Sequence, residues 1–370
     1  MRIGKVIPAL LLIGVASIGA RQLIQRRSIA KAPEINREDQ RRGMMLEVVS
    51  SVPRTETGKY GLSDVALLDN GEFWAVGYDG KNVDRIYLSK DRGATWEPVE
   101  VSGNGFTMHA ITFSDAHHGW AVGGNGLIIR TKDGGSTWEL LKPSIPTESG
   151  ERQSDLHAVH FINANVGYVA GNRRTASKTS DEVWGSVEIF CTKDGGDTWR
   201  QCYYENEPGS VFQIVTVSES EAFVVLDGNR LMKTEDQGRT WHRVPLSSKK
   251  VFSIAFTPTG VGWIVGNKGC FQRSDDGGKT WQQPVSLTED FVDRDWEAVA
   301  FDSNGTGLAV GENSTLALTT DNGTTWELQT SITGDHLRAI RMQGSRAVIL
   351  GAQNAYSINV SPTNTQQVKR

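Results

Sequence analysis

Apolar and polar positions alternate with a period of two through most of this chain. One stretch reads Ala110-Ile111-Thr112-Phe113, Gly119-Trp120-Ala121-Val122-Gly123, Leu127-Ile128-Ile129-Arg130-Thr131 and Thr137-Trp138-Glu139-Leu140-Leu141, with Gly, Asp and Asn gathered between the runs. Short β-branched and aromatic runs bounded by such clusters predict strands joined by hairpins. No convincing helical stripe follows residue 44.

Each four-strand unit carries the same string, Ser/Thr-x-Asp-x-Gly-x-x-Trp. Its six copies end at Trp96, Trp138, Trp199, Trp241, Trp281 and Trp326, spaced 40–45 residues apart except for one interval of 61. That period fits a four-stranded propeller blade, with one blade carrying an insertion. The string has a mechanical role: the aspartates Asp91, Asp133, Asp194, Asp236, Asp276 and Asp321 accept backbone amides two or more residues on, and Gly supplies the turn's positive φ. The tryptophan is expected to anchor blade to blade while its indole N–H reaches a backbone carbonyl. One Asp per turn is too few oxygen ligands for calcium.

After the sixth copy, Leu337–Ile340, Ala347–Gly351 and Tyr356–Ile358 repeat three strands without a fourth. Leu46-Glu47-Val48-Val49 resembles the missing one, so the N-terminal strand is expected to close the last blade. The predicted fold class is therefore all-β: a seven-bladed β-propeller of four-stranded antiparallel blades. Its expected organisation is a signal peptide or membrane anchor over 1–30, a linker over 31–43, the propeller over 44–360 and a tail over 361–370. Closure removes the sheet edges that an open array would present.

Charge narrows the partner. Of the net charge of -4, residues 1–43 contribute +6, which leaves the body at -10. An acidic body without a basic stripe argues against nucleic acid. In the leader, Val6 to Ala20 form an apolar stretch between basic residues, about 22 Å long as a helix and short of the roughly 30 Å hydrocarbon core, which favours an export signal. The basic cluster after it suits an uncleaved anchor instead. The expected location is the periplasm or thylakoid lumen, with residues 6–20 available to hold the membrane. Cys191, Cys202 and Cys270 form neither a disulfide framework nor a zinc cage; a bridge between Cys191 and Cys202 and three small packing thiols both fit.

The string from Gly119 to Gly126 leading into Thr131-Lys132-Asp133-Gly134-Gly135-Ser136-Thr137-Trp138 resembles the repeat of the photosystem II assembly and stability factors, the Ycf48/HCF136 family. Related copies stand at Gly167–Gly171, Gly262–Gly266 and Gly307–Gly311, so the resemblance covers roughly residues 44 to 360. It implies an exported, non-catalytic propeller that binds a protein partner, a membrane complex or its assembly intermediate, without a cofactor. Two alternatives stand beside it: an envelope accessory protein of a transporter or secretion system in a non-photosynthetic bacterium, and a sialidase-like glycosidase sharing the Asp box. The usual Arg-Ile-Pro signature of sialidases is missing, and the acidic group Glu289, Asp290, Asp293 and Asp295 reads as a solvated rim.

Two sets of residues are candidates for binding. The long connections Lys142–Leu156, Asn172–Ser186 and Val285–Asp295 fall on one face, where function usually sits, and they offer Arg173, Arg174, Trp184, Asp293, Arg294 and Asp295 as partner anchors. Aligning the innermost strands on their leading apolar residue offers Ser63, His109, His157, Gln213, Ser253, Glu297 and Arg338 as a polar channel mouth. A metal is not expected there, because the pattern gives His109 and His157 no third ligand.

Overall fold

The computed structural model describes residues 61–78, 84–101, 107–141, 154–175, 183–247, 249–284, 287–329, 334–344, 346–352 and 354–360. They form seven antiparallel sheets. From blade 1 to blade 7 the inner strands are Gly61–Leu67, Met108–Phe113, Asp155–Phe161, Val211–Thr216, Val251–Phe256, Trp296–Phe301 and Leu337–Gln343. Each packs on the next, and the seventh packs on the first, so the ring closes. The expected closing strand over residues 46–49 lies outside the described residues, and blade 7 shows three strands among those described.

Alternation sends the two faces of each blade to different neighbours. The result is seven apolar clusters, one per blade interface, rather than a single core. The last interface joins Val348, Leu350 and Ala355 of blade 7 to Val65, Phe73, Ala75, Tyr87 and Trp96 of blade 1. Two polar ties reinforce it, Arg341 to Asp64 at 2.7 Å and Gln343 Nε2 to Asp69 Oδ1 at 2.6 Å.

The repeated string folds as its chemistry demands. In the second copy, Asp133 accepts the Thr137 amide at 2.8 Å and its hydroxyl at 2.7 Å, while Thr131 Oγ1 accepts the Gly135 amide at 2.7 Å. The bonds from Thr137, then from Thr131, hold the Asp133 carboxyl below the usual carboxylate range, and the same bonding brings Asp236 to about 2. The turn is also a hook. A Cβ on Gly135 would stand 2.2 Å from the Trp74 ring of the preceding blade, and one on Gly323 2.5 Å from Trp263. Donors from the preceding blade reach the same turns: Arg130 Nη1 and Trp120 Nε1 both donate to Gly195 O, at 2.8 and 2.9 Å, and Lys233 Nζ donates to Gly277 O at 3.0 Å.

One local expectation fails. The indole N–H groups of Trp96, Trp138, Trp199, Trp241 and Trp326 are buried without a hydrogen bond, and of the six tryptophans that end the repeated string only Trp281 reaches a carbonyl, Gly278 of its own turn, at 3.2 Å. Edge-on aromatic packing sets the ring orientation instead: Trp138 stands across Trp74 and Phe113 with centroids 5.9 and 6.0 Å away. Burying so large an apolar ring outweighs one modest hydrogen bond. All three cysteines are free thiols.

Candidate partner-binding face and channel mouth

Backbone hydrogen bonds sort the connections into two faces. The turn between the second and third strands of a blade bonds to the segment entering the next blade: Gly126 N to Ser154 O at 2.7 Å, Gly269 N to Arg294 O at 2.7 Å and Ser314 N to Asp335 O at 2.9 Å. The Asp-box turns bond to the first hairpin turn of their own blade, as Gly134 N to His117 O at 2.9 Å and Gly195 N to Asn165 O at 2.9 Å. The described ends of the long connections therefore share the face opposite the boxes.

At this face every inner strand slips by one residue. Register breaks pass over Ser63, His109, His157, Phe212, Phe252, Glu297 and Arg338. An extra residue in one strand of a pair is a β-bulge, which bends the strand and re-aims a side chain. In six blades a glycine of the second strand pairs with the residue before the bulge and permits it, because the chain crosses there almost in contact, whereas blade 4 has Leu226 at that place. A Cβ on Gly123 would stand 1.7 Å from Thr107 O, and one on Gly311 2.1 Å from Asp295 O.

Bulged residues of neighbouring blades meet in pairs. The His109 and His157 rings stack at 4.8 Å and 12°, with His109 Nδ1 2.9 Å from Leu156 O, and Phe212 meets Phe252 edge to face at 5.7 Å. Two of the seven expected mouth residues stand elsewhere: Gln213 and Ser253 occupy the position after the bulge, equivalent to Asp64. There they tie blade to blade, Gln213 Oε1 accepting Ile254 N at 2.9 Å and Ser253 Oγ at 3.1 Å, and Ser253 Oγ accepting Val299 N at 3.3 Å. The leading apolar residues of those strands are Val211 and Val251, with Phe212 and Phe252 passed over, so the expected positions fall one residue late. Placing Ile214 and Ile254 against Ile111 and Val299 gives the true register, because all four belong to inter-blade clusters.

The other candidate set is partly tied into the fold: Arg173, Arg294 and Asp295 are half-buried, whereas Asp293 is exposed. Strands Gly167–Thr175 and Val183–Thr192 extend far into the expected connection Asn172–Ser186, pairing Arg174 with Trp184. The side chains of Arg174 and Trp184 lie outside the described residues. Arg173 is bound inward, its Nη2 2.6 Å from Oε1 of the fully buried Glu188, which also accepts Gln201 Nε2 at 2.9 Å and a short bond from Ser154. In the third connection, the one-turn helix Glu289–Val292 leads to Asp293, and Arg294 Nε donates back to Asp290 O at 2.7 Å. Asp295 caps the neighbouring blade by accepting Lys268 N at 2.7 Å.

The electrostatic focus of the mouth is Glu297. Burial, then the nearby carboxylates Glu312 and Asp295, push its carboxyl up to about 7, against an opposing effect from exposed Arg338. His336 stands beside it, Nε2 3.4 Å from Glu297 Oε1. Neither Glu312 nor His336 carries a sequence signal, since each belongs to an ordinary turn. A cluster of two carboxyls and an imidazole can hold a proton, a cation or a basic group of a partner.

Comparisons with known proteins add the family. The model described as "Photosynthesis system II assembly factor YCF48" matches residues 94–188, 153–251 and 248–354. The chain is 34% identical over 89 residues to the chloroplastic photosystem II stability/assembly factor HCF136 of Arabidopsis thaliana, covering 24% of this chain and 21% of that one. It is 26% identical over 233 residues to the photosystem II assembly lipoprotein Ycf48 of Prochlorococcus marinus strain SARG, covering 51% and 64%. These matches thus span less than two thirds of either relative. Among solved structures, the one described as YCF48 bound to D1 peptide superposes with a TM-score of 0.62 at 20% identity, over 84% of this chain and all of that one, which establishes the shared fold.

Proposed function

The chain belongs to the photosystem II assembly factor YCF48 family, and we propose that it is a non-catalytic propeller scaffold that binds a protein partner at its bulged face and assists assembly or stability of a membrane complex. The observation carrying this reading is the ring of bulges. A stacked imidazole pair, an edge-to-face phenylalanine pair and the Glu297–Arg338 neighbourhood converge at one mouth, a mixture of aromatic anchors and charge that suits peptide recognition. The peptide in the solved relative's description supports the same class of partner. An exported location, periplasm or thylakoid lumen, is supported by relatives described as lipoproteins. No helix among the described residues is long and apolar enough to cross a membrane.

Pull-down from solubilised membranes tests it. Variants His157→Ala with Arg338→Glu, and Arg173→Ala with Arg174→Ala and Trp184→Ala, are compared with wild type after circular dichroism establishes folding. Loss of the partner from the mouth variant is expected; full retention by both variants refutes the face. A glycosidase reading rests on the Glu297 and Glu312 carboxyls, because paired carboxyls serve glycosidases and a solved structure described as an ancestral GH74 enzyme shares this fold with a TM-score of 0.59. Turnover of a glycoside by wild type that disappears in Glu297→Gln would establish it.

A further inference from the structure

Glu297 is 96% buried, with a relative exposure of 4%, yet its Oε1 accepts no hydrogen bond. Leaving an ionisable oxygen so placed is costly unless something satisfies it. The atoms facing it come from separate elements. Glu312 belongs to the turn after the second strand of blade 6, and His336 to the segment entering blade 7. One ligand atom from each of Glu297, Glu312 and His336 lies within 4.8 Å of the others. His336 Nε2 stands 3.4 Å from Glu297 Oε1, and His336 Nδ1 4.0 Å from Glu312 Oε1.

The backbone holding the three groups is tied down independently of them. Glu312 N donates to Asp295 O at 3.1 Å and Thr315 N to Glu312 O at 3.0 Å; Asp335 Oδ1 accepts His336 N at 2.8 Å, and His336 O accepts Ala352 N at 2.9 Å. The donors are therefore positioned by the fold rather than by one another. We propose that Glu297, Glu312 and His336 form a binding site for a divalent transition-metal ion at the channel mouth.

The donor set defines the chemistry. Two carboxylate oxygens and one imidazole nitrogen suit Zn²⁺ or Mn²⁺ better than Mg²⁺ or Ca²⁺, which favour all-oxygen shells. A dication also brings a counter-charge to the Glu297 and Glu312 carboxylates, whose oxygens both face His336. Three protein ligands leave a coordination position for water or for a donor from a docked partner. The side chains of His336 and Glu312 are 34% and 43% exposed, which gives the ion a route in.

Isothermal titration of the purified full-length chain with Zn²⁺ and with Mn²⁺, without any partner, tests the site separately from the scaffold reading. Wild type is expected to bind one ion that Glu312→Gln and His336→Gln each weaken roughly tenfold or more, with Glu297→Gln as the buried isosteric variant. His242→Ala, an exposed histidine on the outer strand of blade 4, is the control and is expected to leave binding unchanged. Bound metal should also raise the wild-type melting temperature, and the two exposed variants should lose that rise while folding normally. Binding unaffected by Glu312→Gln and His336→Gln, binding abolished by His242→Ala, or no binding by wild type would each overturn the assignment.

Discussion

Arg341→Ala probes how the ring is closed. Asp64 sits at the seam, accepting the amides of Val65 at 2.9 Å and of Ile111 in blade 2 at 3.1 Å, and the guanidinium of Arg341 in blade 7 at 2.7 Å. Burial pushes the Asp64 carboxyl above its ordinary range, while Arg341 and the two amides only partly oppose this. Without Arg341 the carboxylate keeps its amides and loses its counter-charge. Breaking a fully enclosed pair costs roughly 3–5 kcal/mol. The Arg341 side chain is 39% exposed, so water recovers part of that, and a loss of about 2 kcal/mol at pH 7 follows. The sign with pH is fixed by linkage. A carboxyl raised in the folded state takes up its proton there first, so the penalty fades as pH falls through the folded value and vanishes below the unfolded carboxyl range, about 4. Urea unfolding followed by tryptophan fluorescence, at pH 7 and pH 4.5, measures the gap between wild type and variant. It should shrink by more than about half at the lower pH if charge carries the effect. An equal gap at both values would mean that lost packing, not the stranded charge, carries the cost.

Three further outcomes follow from the same geometry. Gly123→Ala places a Cβ against Thr107 O and should cost about 3 kcal/mol in a thermal melt; wild-type stability would disprove the close crossing at the bulge. Loss of solvent, then the charge of Arg341, brings His160 down to about 4; its folded value lies below the unfolded one, so its contribution to stability is lost as pH falls from about 6.5 to 4. A proton NMR titration midpoint near 6.5 for His160 would contradict this, and His160→Gln should flatten that part of the stability profile. Arg130→Met should cost only about 1 kcal/mol despite its three bonds, because Glu139 and Asp197 are half-exposed and rehydrate while Trp120 still serves Gly195 O; a loss above about 3 kcal/mol in urea would show that the guanidinium is an essential strap.

Much of the mouth was within reach of sequence reasoning. Ser63, His109, His157, Glu297 and Arg338 all fall at bulges, because each follows an apolar residue whose partner is a glycine of the next strand. Phe212 and Phe252 escaped because phenylalanine looks like a leading core residue, and only pairing across the hairpin reveals that it is the residue passed over. Arg173 read as a loop cation because Arg173-Arg174 carries no strand signal. The buried Glu188 opposite it is what draws it into the sheet.

Residue order alone determined the blade unit, its period and the face on which the long connections fall. The reason is range: alternation and Asp-box turns are settled among residues that stand within about eight positions of one another. Only the tertiary structure decided how Asp64 meets Arg341, which residues the inner strands push out of register, and that residues 297, 312 and 336 face one another. Those relations depend on blades packing through seven separate apolar interfaces and on the angle at which the ring closes, and neither quantity is written in any single repeat.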